Sequence, residues 1–185
     1  VLKTAGQRVD DMLLRDECSL RIVMGSEPSQ GNMAIQGGTI DSMYYRRPTT
    51  RMGVIWAVRK AFYDAARYQQ QSLQGGKTVT DPGMEVLVRA LQQKLTVFTT
   101  ARSEQDIRTA LRLSEEFGYH TVVDEAQDAH LVADELLKSG TWVLVGAPSA
   151  DRIDGMSDGA DPRWFTLSLL AHKGVPFVIT TGTNG

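Results

Sequence analysis

The feature that most constrains the fold of this chain is a regular alternation of short apolar runs and helical segments in its second half. Four runs rich in β-branched and aromatic residues, at 94–100, 119–124, 141–145 and 175–180, are separated by segments with helical spacing of apolar residues. The runs are nearly continuous in apolar character, which is typical of a parallel sheet whose two faces are both covered by helices. The pattern predicts the chain order β-α-β-α-β-α-β and an α/β fold.

The first helix of this alternation is predicted over 103–118. Ser103 and Asp106 have the spacing of a capping box at its start, and Gly118 stands where a C-terminal glycine belongs. The apolar stripe of this helix consists of Ile107, Ala110, Leu111 and Phe117.

Two more helices complete the alternation. One is predicted over 129–139 and ends before Gly140. The other opens with Asp161 as N-cap and Pro162 at the first helical position, and it ends at Gly174. Their core-facing residues are predicted to be Leu131, Val132, Leu136 and Leu137 in the first, and Trp164, Phe165, Leu167 and Leu170 in the second.

This chain order allows two architectures. Parallel strands with right-handed helical crossovers form either a doubly wound sheet or part of a (β/α)₈ barrel. A complete barrel needs about 250 residues, so 185 residues are expected to hold only part of one. We interpret the end of the chain, shortly after the run at 175–180, as a truncated unit, and the first residue, Val1, as an internal or processed start.

The first half of the chain is less regular. A strand is predicted over 20–24, and a long loop rich in Gly, Ser, Pro and Asn follows over 25–50. A helix over 51–70 is capped by one of the two threonines before it, and another helix opens with the Asp-Pro pair at 81–82.

Composition limits the class of protein and of partner. The chain is expected to form one soluble domain, with an irregular lead-in over 1–80 and regular βα units over 81–185. A net charge of −2 gives no excess that would favour a nucleic acid or a membrane as partner. The single cysteine, Cys18, excludes an internal disulfide framework and a cysteine-rich zinc ribbon. No apolar stretch approaches the roughly 20 residues of a membrane helix, and the compartment stays undetermined.

Polar residues follow the predicted strands at the ends where βα folds place their sites. Thr100 ends the run at 94–100 and Arg102 follows it, and Asp124 ends the next run and Glu125 follows it. The two carboxylates have three interpretations: they bind a hard cation, act as a base, or cap the following helix, of which capping is favoured. The candidate ligand-binding residues are Thr100, Arg102, Asp124 and Glu125.

The common metal-ligand and phosphate-binding motifs are absent from the sequence. His120 stands at the start of a strand, and His130 and His172 stand on helices, away from the expected active face. There is no His-x-His, no His-Glu-x-x-His, no Cys-x-x-Cys and no glycine-rich phosphate motif. The aspartates of the loop over 146–161 lack EF-hand spacing, and we interpret them as solvated.

Several segments together resemble one branch of the amidohydrolase superfamily, a branch that is similar to imidazolonepropionase. The run TTRMGV at 49–54, followed by a long helix that ends in FYDAARY, resembles a stretch of this branch. The segments DIRTALRLSEEFG at 106–118 and VADELLKSG at 132–140 are similar to helices that follow the family's metal-site strands. LVGAP at 144–148 is similar to the family's VVGP, and the resemblance extends over about residues 11–181.

The resemblance implies a TIM-type (β/α)₈ barrel that hydrolyses C–N bonds with one or two divalent metals, such as zinc, activating a water. It implies histidine ligands where this chain has Thr100 and Glu125, an aspartate where it has Gly182, and a His-x-His before Val1. Thr is a poor ligand for a divalent metal, Gly has no side chain, and a catalytic zinc needs about three protein ligands. We therefore expect no metal or other cofactor and assign no catalytic residue.

Three functions are compatible with these observations. The first is a degenerate amidohydrolase-like domain that acts as a binding, scaffold or partner subunit, with Arg102, Asp124 and Glu125 lining a residual pocket for a small molecule. The second is a working hydrolase that takes its other ligands from outside this chain or uses one of the two carboxylates without metal. The third is an unrelated α/β binding module, which an open doubly wound sheet would favour. Open edges expected at 94–100 and 175–180 predict a homo-oligomer or a pair with a homologous subunit.

Overall fold

The fold is an alternation of parallel strands and helices, seen in a computed structural model that describes residues 18–30, 32, 47–74, 79–146 and 162–181. The strands are β1 (Ser19–Val23), β2 (Thr96–Thr100), β3 (Thr121–Asp124), β4 (Trp142–Gly146) and β5 (Phe177–Thr180). The helices are α1 (Arg51–Leu73), α2 (Pro82–Leu91), α3 (Glu104–Phe117), α4 (Ala133–Ser139) and α5 (Pro162–Lys173), with 3₁₀ turns at Glu27–Ser29 and Ala129–Val132. None of these helices is both long and apolar enough to cross a membrane.

The strands form one parallel sheet in the sequential order β1-β2-β3-β4-β5. A doubly wound sheet reverses its strand order at a switch point, and the described sheet has no such reversal. Sequential order is that of a barrel sheet, so the fold is α/β with parallel βα units forming part of a TIM-type (β/α)₈ barrel. The described strands therefore do not form the doubly wound sheet that would have favoured an unrelated binding module.

One predicted edge of the sheet is wrong. The strand predicted at 94–100 is β2, which lies between β1 and β3 because Val97 pairs with both Leu20 and Thr121. The open edges of the described sheet are β1 and β5, so the edge predicted at 175–180 is confirmed there.

The two faces of the sheet differ because side chains alternate between them along each strand. One face carries the strand residues of the hydrophobic core, onto which all five helices pack: Val97, Val123, Val143 and Val145. The other face carries Arg21, Phe98, Thr100, Val122, Asp124 and Leu144. Within the described part of the chain the helices cover only the first face, so the expectation of two helix-covered faces is wrong there. Inward-facing barrel residues are also apolar, which explains the continuous apolar runs.

Local signals set most helix ends. The Thr50 side chain caps α1 by accepting a hydrogen bond from Gly53 N at 3.1 Å, and the Asp81 carboxylate caps α2. Ser103 caps α3, and Gly118 ends it in the left-handed conformation, with φ of +71°. The predicted cap Asp161 lies outside the described residues.

The helix predicted over 129–139 differs from the structure. It starts as a 3₁₀ turn because the residue before it, Asp128, does not cap it and accepts a hydrogen bond from Glu104 N instead. A 3₁₀ turn has about three residues per turn, so the four residues that α-helical spacing places on one face do not all face the core. Val132 and Leu136 are buried, whereas Leu131 and Leu137 are exposed. In α5, Leu167 and Leu170 are buried as predicted, whereas Trp164 and Phe165 are exposed.

Helices α1 and α3 are joined by a charged cluster on the outside of the domain. Glu116 on α3 accepts hydrogen bonds from Arg59 at 2.7 Å and from Tyr63 at 3.0 Å, both on α1. Phe62 stacks against Phe117 beside this cluster, with ring centroids 5.1 Å apart. The hydrogen bond from Arg59 is the main cause that lowers the pKa of Glu116 from its ordinary value of 4.5.

The pH dependence of stability tests this cluster. A carboxylate whose pKa is lowered on folding stabilises the fold above its unfolded pKa, and this stability is lost as the pH falls through the folded pKa. Above about pH 4.5, Glu116→Gln should therefore be less stable than the wild type. This difference in the free energy of unfolding should shrink as the pH is lowered. Urea denaturation at several pH values measures this. Glu115→Gln, at the exposed neighbouring position, is the control, and a gap that persists unchanged into acid contradicts the assignment.

Candidate functional site

The carboxyl ends of β1, β2 and β3 bring polar side chains together at one rim of the sheet. Thr100 ends β2 and Asp124 ends β3, and the two residues are paired in the strand register. Arg21 on β1 pairs with Phe98, so its side chain lies on the same uncovered face. Two of the candidate residues predicted from sequence, Thr100 and Asp124, therefore lie side by side at this rim.

Arg21 is the central cation of this rim. Its Nη2 lies 2.9 Å from Asp124 Oδ2, 3.1 Å from Thr100 Oγ1 and 3.7 Å from Glu125 Oε1. Its Nε also donates to Thr100 Oγ1, at 3.2 Å. Sequence reasoning missed Arg21. A signal was available in the sequence. Side chains alternate along a strand, so in the predicted strand over 20–24 Arg21 lies on the face opposite Leu20 and Ile22.

Arg102 is a second cation, on the outer side of the rim. Its Nε and Nη2 lie 2.6 and 2.5 Å from Glu125 Oε2, and its Nη1 donates to Glu27 Oε2 at 2.7 Å. Partial burial acts to lower the pKa of Arg102, but the hydrogen bonds to Glu125 and Glu27 outweigh it and raise that pKa. Arg102 thus ties the turn after β1 to the end of β3.

The two adjacent carboxylates do not cap a helix, so the favoured capping interpretation is wrong. Asp124 Oδ1 accepts a hydrogen bond from Glu125 N at 2.9 Å, and Glu125 has a left-handed backbone with φ of +57°. Both side chains contact arginines instead, and the following 3₁₀ turn begins only at Ala129. The rim contains two arginines and three carboxylates, including Glu27, and its formal charge is −1.

A small cleft adjoins the rim between the turn after β1 and the first turns of α1 and α3. Its volume is about 130 Å³, and its lining includes Thr100 and Arg102. The nearly buried Asp106 at its side accepts hydrogen bonds from Arg51 at 3.2 Å and from Ser103 at 2.6 Å. Gly25 has φ of +89°, a left-handed conformation that favours glycine, and a Cβ there would lie only 3.0 Å from Asp106 Oδ2.

The histidines lie away from the rim. His120 is exposed before β3, and His172 is in the last turn of α5. His130 Nδ1 lies 2.8 Å from the buried Thr166 hydroxyl, which donates to Gln127 O. The predicted solvated aspartates Asp151, Asp154, Asp158 and Asp161 and the position Gly182 lie outside the described residues.

The side chains of the rim do not fit the divalent metal that the resemblance implies. Thr100 Oγ1 accepts hydrogen bonds from Arg21, and both oxygens of Glu125 face guanidinium groups. A dication beside Asp124 would lie next to the positive charge of Arg21, and like charges repel. Among the described residues no group of three or more His, Cys, Asp or Glu is placed to hold a metal.

Comparison with known proteins supports the fold. No family model matches the chain, and no curated protein matches it. The structure is similar to that of an amidohydrolase from Thermotoga maritima MSB8, with a TM-score of 0.79 and 23% sequence identity. The match covers 99% of this chain and 46% of that one, so the chain spans less than half the length of this solved structure. The fold is therefore amidohydrolase-like, and the branch similar to imidazolonepropionase stays a prediction.

The cleft makes a stability prediction at Asp106. Asp106→Ala removes the partner of Arg51 and Ser103 from a nearly buried position and should lower the free energy of unfolding by about 1–3 kcal/mol. Asp134→Ala breaks an exposed ion pair with Lys173 and should cost about 0.5 kcal/mol or less. Denaturant unfolding of both variants measures the difference, and equal losses would refute the role given to Asp106.

Proposed function

We propose that this chain is an amidohydrolase-like domain, related to the branch that is similar to imidazolonepropionase, that has no metal-dependent hydrolysis of its own. It acts as a binding or partner subunit, associated with a second copy or with a homologous subunit. The small cleft next to the rim is the place for a small-molecule ligand, with Thr100 and Arg102 in its lining.

The proposal depends on the contacts made by the residues at the two positions where the resemblance expects histidine ligands. Thr100 accepts hydrogen bonds from Arg21, and Glu125 is held by Arg102. A zinc-activated water needs about three protein ligands and an open position on the metal. A threonine hydroxyl and an arginine-bound carboxylate do not supply that set, which supports the loss of metal-dependent chemistry.

The same contacts argue against a metal-free hydrolase that uses Asp124 or Glu125 as a base. A general base must lie within hydrogen-bond reach of the proton it abstracts. Oδ2 of Asp124 faces Arg21, its Oδ1 accepts from the backbone, and Glu125 faces both arginines. These oxygens are already engaged in the network of the rim. A binding or association role is therefore better supported than metal-free hydrolysis.

Metal content tests the loss of hydrolysis. Purified protein should contain far less than one divalent ion per chain by inductively coupled plasma mass spectrometry, and it should show no chelator-sensitive turnover on a panel of C–N hydrolase substrates. Stoichiometric zinc that disappears in Glu125→Ala contradicts the proposal. Glu135→Ala is the matched control, because Glu135 pairs with Arg108 on the helices, away from the rim.

Exposed apolar side chains near the β5 edge of the sheet support the association role. Trp142 on β4 and Val178 and Ile179 on β5 are 53%, 45% and 53% exposed. Val178 lies on the face that the described helices leave uncovered, and β5 is an open edge of the described sheet. An open edge presents unpaired backbone groups that pair with another chain. A second polypeptide of the same architecture would cover both this edge and the apolar side chains.

Light scattering after size-exclusion chromatography tests the association. The wild type should be larger than a monomer, and Ile179→Lys should shift it toward the monomer because a charged edge strand resists pairing. Val79→Lys adds the same charge at an apolar residue that is 87% exposed before α2, and it should behave like the wild type. A wild type that stays monomeric at high concentration contradicts the association role.

A further inference from the structure

The guanidinium of Arg21 is surrounded by oxygen atoms from two other strand ends. Thr100 at the end of β2, Asp124 at the end of β3 and the next residue, Glu125, all lie within 3.7 Å of its Nη2. The arrangement resembles a cation with three oxygen ligands, except that the cation belongs to a side chain of β1. It joins three neighbouring strands at the rim where the family resemblance predicts a metal.

We propose that the guanidinium of Arg21 is a built-in cation that takes the place of a divalent metal at this rim. The proposal rests on the proposed function, because it explains how the carboxylates of the rim are held without an ion. It goes beyond that function by assigning one residue, Arg21, as the cause.

The position of Arg21 in the sheet makes this contact available. Arg21 pairs with Phe98, two residues before Thr100, on the same face of the sheet. Two residues of a strand span about 6.6 Å, a distance that an arginine side chain covers when it extends along the strand. Guanidinium has five N–H donors in a fixed plane and stays protonated, so it can serve several oxygens at once.

Burial and charge indicate what the rim loses without Arg21. The Asp124 side chain is 16% exposed, whereas that of Arg21 is 53% exposed, so the carboxylate is the more buried partner. Without Arg21 the formal charge of the rim changes from −1 to −2, and Asp124 keeps no other ion pair within the described residues. A largely buried carboxylate without a counter-charge is costly. The carboxylate oxygens of Asp124 and Glu125 are ligands of the kind that hard divalent cations take.

The experiment uses Mn²⁺ alone as the probe, on the wild type and on Arg21→Gln and Arg21→Lys variants of the full chain. Arg21→Gln should gain one saturable Mn²⁺ site by isothermal titration and electron paramagnetic resonance, at least about tenfold tighter than any site in the wild type. Arg21→Lys keeps the positive charge and should gain none. The double variant Arg21→Gln/Asp124→Asn should lose the gain.

The matched control is Arg108→Gln, which makes the same change at an arginine that pairs with Glu104 and Glu135 away from the rim. It should bind Mn²⁺ no better than the wild type. An equal gain in Arg108→Gln would overturn the proposal, because any lost arginine would then suffice.

Folding is read separately by circular dichroism. If Arg21→Gln is unfolded without metal, Mn²⁺ should restore the native spectrum, and failure of this rescue overturns the proposal. If Arg21→Gln folds but binds no Mn²⁺, and the wild type is also free of metal, this inference is overturned while the proposed function stands. Stoichiometric metal in the wild type overturns the proposed function and this inference together.

Discussion

The contact of Arg21 with the ends of two neighbouring strands is the interaction on which the candidate site depends. It forms because a parallel sheet with sequential strand order aligns the carboxyl ends of β1, β2 and β3 at one rim. Side-chain alternation then places Arg21, Thr100 and Asp124 on the same face, which the described helices leave uncovered. Without that register, the arginine and the carboxylate would face opposite sides of the sheet.

The network also defines what chemistry this rim supports. Metal-dependent hydrolysis needs ligands that leave one position open for water, whereas guanidinium–carboxylate pairs use the same oxygens for fixed hydrogen bonds. The fold is that of an amidohydrolase-like barrel portion, and the rim is built as a closed charge network. A fold shared with an enzyme does not by itself imply that enzyme's reaction, because a reaction depends on a few side chains at the strand ends.

Several features were predictable because their signals are local. The caps Thr50, Asp81 and Ser103 lie within three residues of the amides they bind, so sequence alone located the starts of these helices. The candidates Thr100, Arg102, Asp124 and Glu125 followed from the rule that sites form at strand ends, and the structure brings them together. The capping role favoured for the two carboxylates was wrong because arginines distant in sequence compete for their oxygens.

The sequence by itself determined the alternation of strands and helices and which residues stand at strand ends, since both depend on periodicity and on neighbouring residues. Only the tertiary structure decided that β2 is a central strand, that the described helices cover one face, and that Arg21 is the cation of the rim. Arg21 and Asp124 are 103 residues apart. A contact over that distance is set by strand order and register, and no short-range pattern in the chain encodes either.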